Sequence, residues 1–316
     1  MTAFGRLWRR APLWRTSVIV TVGALGMAAF YPTPALKKAM PWLPGHLPGA
    51  APDNAAPGAS QADAQGAQGA QPNGAPGLGD QIGVPDPGIT EHGSLTIAGR
   101  ILPLPAGDWH PILTARSGAH GELSQQVLAR TDRGVVSGVI VVRATQQPVP
   151  ADLAEQLETP CHDDRDYAAH ISDRPGISQE CSYTSNAVLE NQSVSTDPFI
   201  TAAFSRMRTL GFPIPSLMIN VGWYYAAAAG KGTAHIETVE TLVAPIERGS
   251  RQLLAPPQYW NKASVHKNPE ASQFIDALDR WMIGWSHVLR QGFDGTLNTA
   301  TLVSPLINDP SAPQPS

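Results

Sequence analysis

The chain predicts an α+β fold: a largely antiparallel sheet with two main helices packed on it, preceded by an N-terminal membrane helix and a disordered linker. Three observations lead there. A basic, apolar start gives way to a long stretch of small residues and proline. Strand-like alternation dominates the first part of what remains. Two later segments carry apolar stripes at helical spacing with capping residues at their ends.

Residues 1–16 carry Arg6, Arg9, Arg10 and Arg15 and read as a basic cytoplasmic N-terminus. Residues 17–31 hold Val18, Ile19, Val20, Val22, Leu25, Met27 and Phe30 without a charge. At about 1.5 Å per residue this run covers about 22 Å, against a hydrocarbon core of about 30 Å. It reads as an uncleaved signal-anchor, with Arg15 snorkelling and Trp14, Phe30 and Tyr31 at the interface, or as a cleaved signal peptide. The membrane residues on this reading are Arg9, Arg10, Arg15, Val18, Ile19, Val20, Val22, Leu25 and Phe30. An anchor gives a single-pass inner-membrane protein with its C-terminal domain in the periplasm. A cleaved signal gives a protein secreted to the periplasm.

Residues 32–90 form the tether. They are mostly Ala, Gly, Pro and Gln and lack the aromatic and branched residues that bury a core, so disorder is predicted. A flexible chain of about 45 residues spans roughly 37 Å. The folded domain is read as residues 91–307, and residues 308–316, rich in Pro and Ser, as a disordered tail.

Within the domain, Ser94 to Ala98 and Arg100 to Leu104 are short strands split by Gly99, and Trp109 to Arg116 is another. Gln125 to Thr131 and Val135 to Ala144 flank Asp132-Arg133-Gly134, read as a three-residue hairpin loop with a left-handed Gly. Alternation puts Val136, Ile140, Val142 and Ala144 on one face and Val135, Val139 and Val141 on the other. That marks a central strand covered on both sides. Ala151 to Glu158 is a short helix. A clear helix follows Asp197, its N-cap, with Pro198 at the first position and Gly211 at its end. Leu217 to Tyr225 and His235 to Val243 read as a long antiparallel hairpin turned at Gly230-Lys231-Gly232. The last helix is capped by Asn268, ends at Gly292, and carries Phe274, Ile275, Leu278, Trp281, Met282, Trp285, Val288 and Leu289 on one broad face. Strands, helix, hairpin, helix in that order predict helices on one face of the sheet.

The formal net charge is −4 and no basic stripe follows the N-terminus, so a nucleic-acid partner is excluded. The two cysteines, Cys161 and Cys181, lie beyond the membrane segment and read as one disulfide in an oxidising compartment. Between them sit His162, Asp163, Asp164, Asp166 and His170. Carboxylates and imidazoles ligate divalent cations and serve as acid and base. Asp163, Asp164 and His170 are the catalytic candidates. His162, Asp164, Asp166 and His170 are the metal-ligand candidates, against a plain reading as a solvated loop paired to Arg165 and Arg174. Beyond that divalent cation no cofactor is implied. Tyr224, His235 and Glu237 are ligand-binding candidates, against a reading in which the aromatics are sheet core and the His-Glu pair an exposed strand face.

The segment Pro103-Leu104-Pro105-Ala106-Gly107-Asp108-Trp109, the two cysteines in a polar loop, Leu210-Gly211-Phe212-Pro213-Ile214-Pro215 and the aromatic final helix together resemble a family of bacterial cell-envelope proteins over residues 93–295. The resemblance implies an envelope location and no activity. No nucleophile elbow, zinc-protease pair or phosphate loop occurs in the chain. The leading expectation is a membrane-tethered periplasmic domain that binds an envelope protein or polymer. The alternatives are an envelope hydrolase or a cation-binding module using the disulfide-closed loop.

Overall fold

Apolar alternation from Trp109 onward produces antiparallel pairing throughout. The computed structural model describes residues 81–118, 120–189, 197–247, 251–303 and 307–313, all within the unit Gln71–Ser316. The membrane segment of residues 17–31, its flanking arginines and residues 32–80 of the tether lie outside the described residues. Among the described residues, no helix is long and apolar enough to cross a membrane.

The strands are β1 (Gln81–Gly83), β2 (Ser94–Ile97), β3 (Arg100–Pro103), β4 (Trp109–Ser117), β5 (Leu123–Asp132), β6 (Val135–Thr145), β7 (Val149–Pro150), β8 (Ala168–Ile171), β9 (Ser178–Leu189), β10 (Leu217–Gly230) and β11 (Thr233–Val243). The helices are α1 (Ala151–Glu158), α2 (Pro198–Thr209) and α3 (Pro269–Phe293). One nine-stranded sheet runs β1-β4-β5-β6-β11-β10-β9-β8, with β7 added to β11, and β2-β3 is a separate hairpin. Every pair is antiparallel, so the protein is α+β as predicted. Two meanders, β4-β5-β6 and β8-β9-β10-β11, meet where β6 pairs β11 from Ala144↔Glu237 to Gly138↔Val243.

The helices divide between the two faces, where the sequence pattern suggested one. The α3 stripe and the β2-β3 hairpin bury Trp223, Tyr225, Ile140 and Val142. On the opposite face α2 covers Val139, Val141 and Met218, and α1 with the disulfide covers Tyr224 and Ile236. The reason is β6 itself: all eleven of its residues are buried, so it needs cover on both sides. Val136 joins the α2 face, with Val139, because the β5-β6 register shifts between Arg130 and Thr131, leaving Ser137 as the extra residue. The preceding loop has two residues, Arg133 and Gly134, both at positive φ, because Asp132 pairs with Val135.

Both predicted N-caps form. Asp197 accepts from the Phe199 amide and Asn268 from the Ala271 amide. Gly292 lies inside α3 instead of ending it. A Cβ there would meet the Ile101 carbonyl oxygen, so the glycine lets α3 approach β3.

The described domain also extends past both expected limits. β1 begins at Gln81, within the segment read as tether, and pairs with the outer strand β4. Near the other end, Asp309 is buried and accepts two hydrogen bonds from Arg130, at 2.7 and 2.9 Å. Arg130 also donates to Ser137 and to the Ala106 carbonyl and lies 4.8 Å from the Trp109 ring centre. A pair with both side chains at 0 % exposure is costly to break, because one charge stays behind without its partner. Asp309→Ala therefore lowers unfolding stability by about 3–5 kcal/mol in urea melts, whereas the apolar double replacement Arg130→Met with Asp309→Leu restores most of it. A loss under about 1 kcal/mol in the single variant would remove the pair as a structural determinant.

Candidate functional site

The sequence Thr-Ala-His-Ile-Glu at the start of β11 sends His235 and Glu237 to the same face of the sheet. That face is covered by α3 and the β2-β3 hairpin, so the predicted exposed strand face is interior at Glu237, while His235 is half-buried. Glu237 sits between Tyr225 of β10 and Ala144 of β6 and is 1 % exposed. Among the described residues its Oε2 has no hydrogen-bond partner.

Arg100 lies against it. Ala98 and Gly99 both have positive φ and close a two-residue turn, with Ile97 paired to Arg100. The turn places Arg100 at the first position of β3, with its guanidinium carbon 4.0 Å from the ring centre of Phe293 at the end of α3. Arg100 Nη1 is 3.7 Å from Glu237 Oε2, too far for a good hydrogen bond, and is itself buried without a partner among the described residues. Burial pushes the Glu237 carboxyl up to about 8, and the charge of Arg100 only partly offsets this. Burial also lowers Arg100, against the pull of Glu237. His235 is lowered by burial and by Arg100, and its Nδ1 is buried without a partner. Glu237 is thus a neutral acid near pH 7, beside a guanidinium whose charge it does not cancel.

An aromatic ladder supports the pair. The Phe293 ring meets Tyr225 edge-on at 4.7 Å, and Tyr225 stacks on Trp223. Arg290 lies 4.8 Å over Tyr225 and pairs with Glu180 at 2.6 Å, and Glu180 also accepts from the Trp223 indole. A cleft of about 280 Å³ opens beside Arg100, bounded by Gly99, Ile101, Phe293, Asp294 and Leu297. Buried polar groups without partners beside an open cleft are a common signature of a functional site.

The other sequence candidates are not brought to this place or to one another. The disulfide Cys161–Cys181 forms as predicted and is buried against Tyr183 and Tyr224. Asp163 is held by its neighbour Arg165 at 2.6 Å, and that hydrogen bonding takes its carboxyl down to about 2. The Asp164 carbonyl accepts from Lys262. Asp166 is buried, which raises its carboxyl. His162 pairs with Glu158 at 3.3 Å, and His170 with Asp279 of α3 at 3.0 Å. Among the described residues, no group of three or more His, Cys, Asp or Glu side chains is arranged to hold a metal ion. Tyr224 lies on the α1 face, opposite His235 and Glu237, with its hydroxyl buried and unpartnered and its phenol raised by burial.

Sequence reasoning found His235 and Glu237 and missed Arg100 and Phe293. The available signal was a lone arginine opening an otherwise apolar strand straight after an Ala-Gly turn. Comparison with protein families, curated proteins and solved structures gives no match to this chain.

The raised carboxyl makes stability depend on pH. Between the ordinary value of 4.5 and about 8, the folded chain holds a proton that the unfolded chain releases. Stability therefore falls as pH rises through that window. Glu237→Gln removes the titration and keeps the shape. Urea melts should leave wild type and variant within about 1 kcal/mol at pH 5 and make the variant more stable by a few kcal/mol at about pH 9. Parallel curves across the window would contradict the assignment.

Proposed function

We propose that the protein is a membrane-tethered periplasmic binding domain that takes an envelope protein or polymer at the Arg100–Glu237 site. The observation that carries the reading is the unspent polar pair itself. A guanidinium nitrogen and a carboxyl oxygen are buried without hydrogen-bond partners among the described residues, and Arg100 lines an open cleft. Inside a protein such groups are costly unless something repays them, and a bound ligand does so. The envelope location rests on the arginine-flanked apolar segment of residues 17–31, the tether composition and the buried disulfide. The separate partners of Asp163, His162 and His170 favour this reading over a hydrolase or a cation-binding module, which need those groups together.

A test has two parts. Alkaline phosphatase fused after Ser316 should be active in a bacterial host, and the thiols should resist alkylation until reductant is added. Cleaving the bridge, which spans a sequence separation of 20, costs about 3 kcal/mol. A photo-crosslinking residue at position 101, in the cleft wall, should then join the domain to an envelope component in intact cells. Arg100→Gln should abolish that product, while the same probe at exposed Ile171 gives none. An inactive phosphatase, or crosslinks indifferent to Arg100, would overturn the reading.

A further inference from the structure

Arg100, half-buried, differs from the buried arginines Arg130 and Arg143. Arg130 meets Asp309 at 2.7 Å, and Arg143 meets Asp197 and Glu240 at 2.7 Å each. The nearest carboxyl among the described residues stands 3.7 Å from Arg100 Nη1, and that buried nitrogen finds no hydrogen-bond partner among them. Its guanidinium carbon lies 4.0 Å from the centre of the Phe293 ring, a cation–π contact that restrains the planar fork before any ligand arrives. Its side chain is 15 % exposed, and Arg100 is one of the residues that line the cleft.

We propose that the cleft beside Arg100 receives a carboxylate of the ligand, which takes the free N–H donors of Arg100 while its carbon chain lies against Ile101, Phe293 and Leu297. The inference rests on the binding reading above and names the chemistry of what binds. A planar carboxylate matches a planar fork, and a charge-assisted pair of this kind is among the stronger hydrogen-bonded contacts. A multiply charged phosphate fits less well. The cleft is lined by a single cation, and it lies at the C-terminal end of α3, where the helix dipole is negative and exposed Asp294 adds its own charge.

The charged groups around the pair set a pH dependence. Glu237 faces Arg100 from β11, and His235 lies two residues before it on the same face. From α3, Arg290 is taken by Glu180 of β9, donates to the Tyr225 hydroxyl, and feels the charge of Asp294. While Glu237 keeps its proton it leaves Arg100 to the ligand. Once ionised it competes for the same guanidinium. Carboxylate binding therefore weakens as pH rises through the range in which Glu237 loses its proton.

The experiment is a calorimetric and NMR titration of the full chain in lipid nanodiscs with sodium pentanoate, methyl pentanoate and inorganic phosphate. Pentanoate should bind, with shifts at Arg100 and Phe293, and methyl pentanoate should be at least about tenfold weaker, since it lacks the charge. Affinity for pentanoate should fall about tenfold between pH 7 and 9, and Glu237→Gln should abolish that fall. Arg100→Gln should abolish pentanoate binding, and Glu237→Gln keeps the proposal testable if that variant fails to fold. Equal binding of the ester, preference for phosphate, no pentanoate binding, or an unchanged pH dependence in Glu237→Gln would each overturn it. If pentanoate fails while the position-101 crosslink persists, the carboxylate class falls and the binding reading stands. If both fail, both fall.

Discussion

The pairing of β6 with β11 is the constraint on which the rest of the fold depends. It joins the two meanders, with the short β7 alongside it on β11, and it does so across about a hundred residues of sequence, from Ala144↔Glu237 onward. Both strands of this seam are covered on both faces, by α3 and the β2-β3 hairpin on one side and by α2 and α1 on the other. Water is therefore excluded from the middle of the sheet. Polar groups placed there must find partners inside the protein or carry the cost of going without.

The charged side chains sort themselves by that rule. Arg130 lies against the seam on β5 and is tied to Asp309, Ser137 and the Ala106 carbonyl. Arg143 on β6 itself finds Glu240 and Asp197. Glu180 and Arg290 take each other, with Trp223 and Tyr225 as further partners. Glu237 is the exception within the seam. Its acid stays neutral because a charge there would be desolvated, and Arg100 stands slightly too far off to reverse the balance. The conformational strain of the Ala98-Gly99 turn is what brings Arg100 there, which ties the site to the backbone as well as to side-chain packing.

Much of this was readable from residue order. Alternation through Leu217 to Tyr225 assigned Trp223 and Tyr225 to one face and Tyr224 to the other, and the structure keeps that division. Asp197 and Asn268 announced their helices through capping chemistry alone. The two cysteines, isolated beyond an apolar leader, announced their bridge. What was hidden depends on distant partners. The Ser137 bulge, which moves Val136 to the other face, follows from β5 pairing and leaves no mark within β6. Asp309 looks like tail until Arg130, 179 residues earlier, requires it. Alternation also gave the side of β11 on which Glu237 lies but not what covers that side. Only the return of the hairpin and α3 turns an exposed acid into a buried one. Gly292 read as a helix end because close backbone approach and chain termination both favour glycine.

The claim on which the account of the site rests is that Glu237 carries a proton at neutral pH. Carbon-13 NMR of the full chain, labelled at the glutamate carboxyl carbons and titrated from pH 3 to 10, addresses it directly. The resonance lost in Glu237→Gln should move with a midpoint near 8, well apart from the other glutamates. A Glu237 resonance that titrates with the rest, near 4.5, would contradict the account.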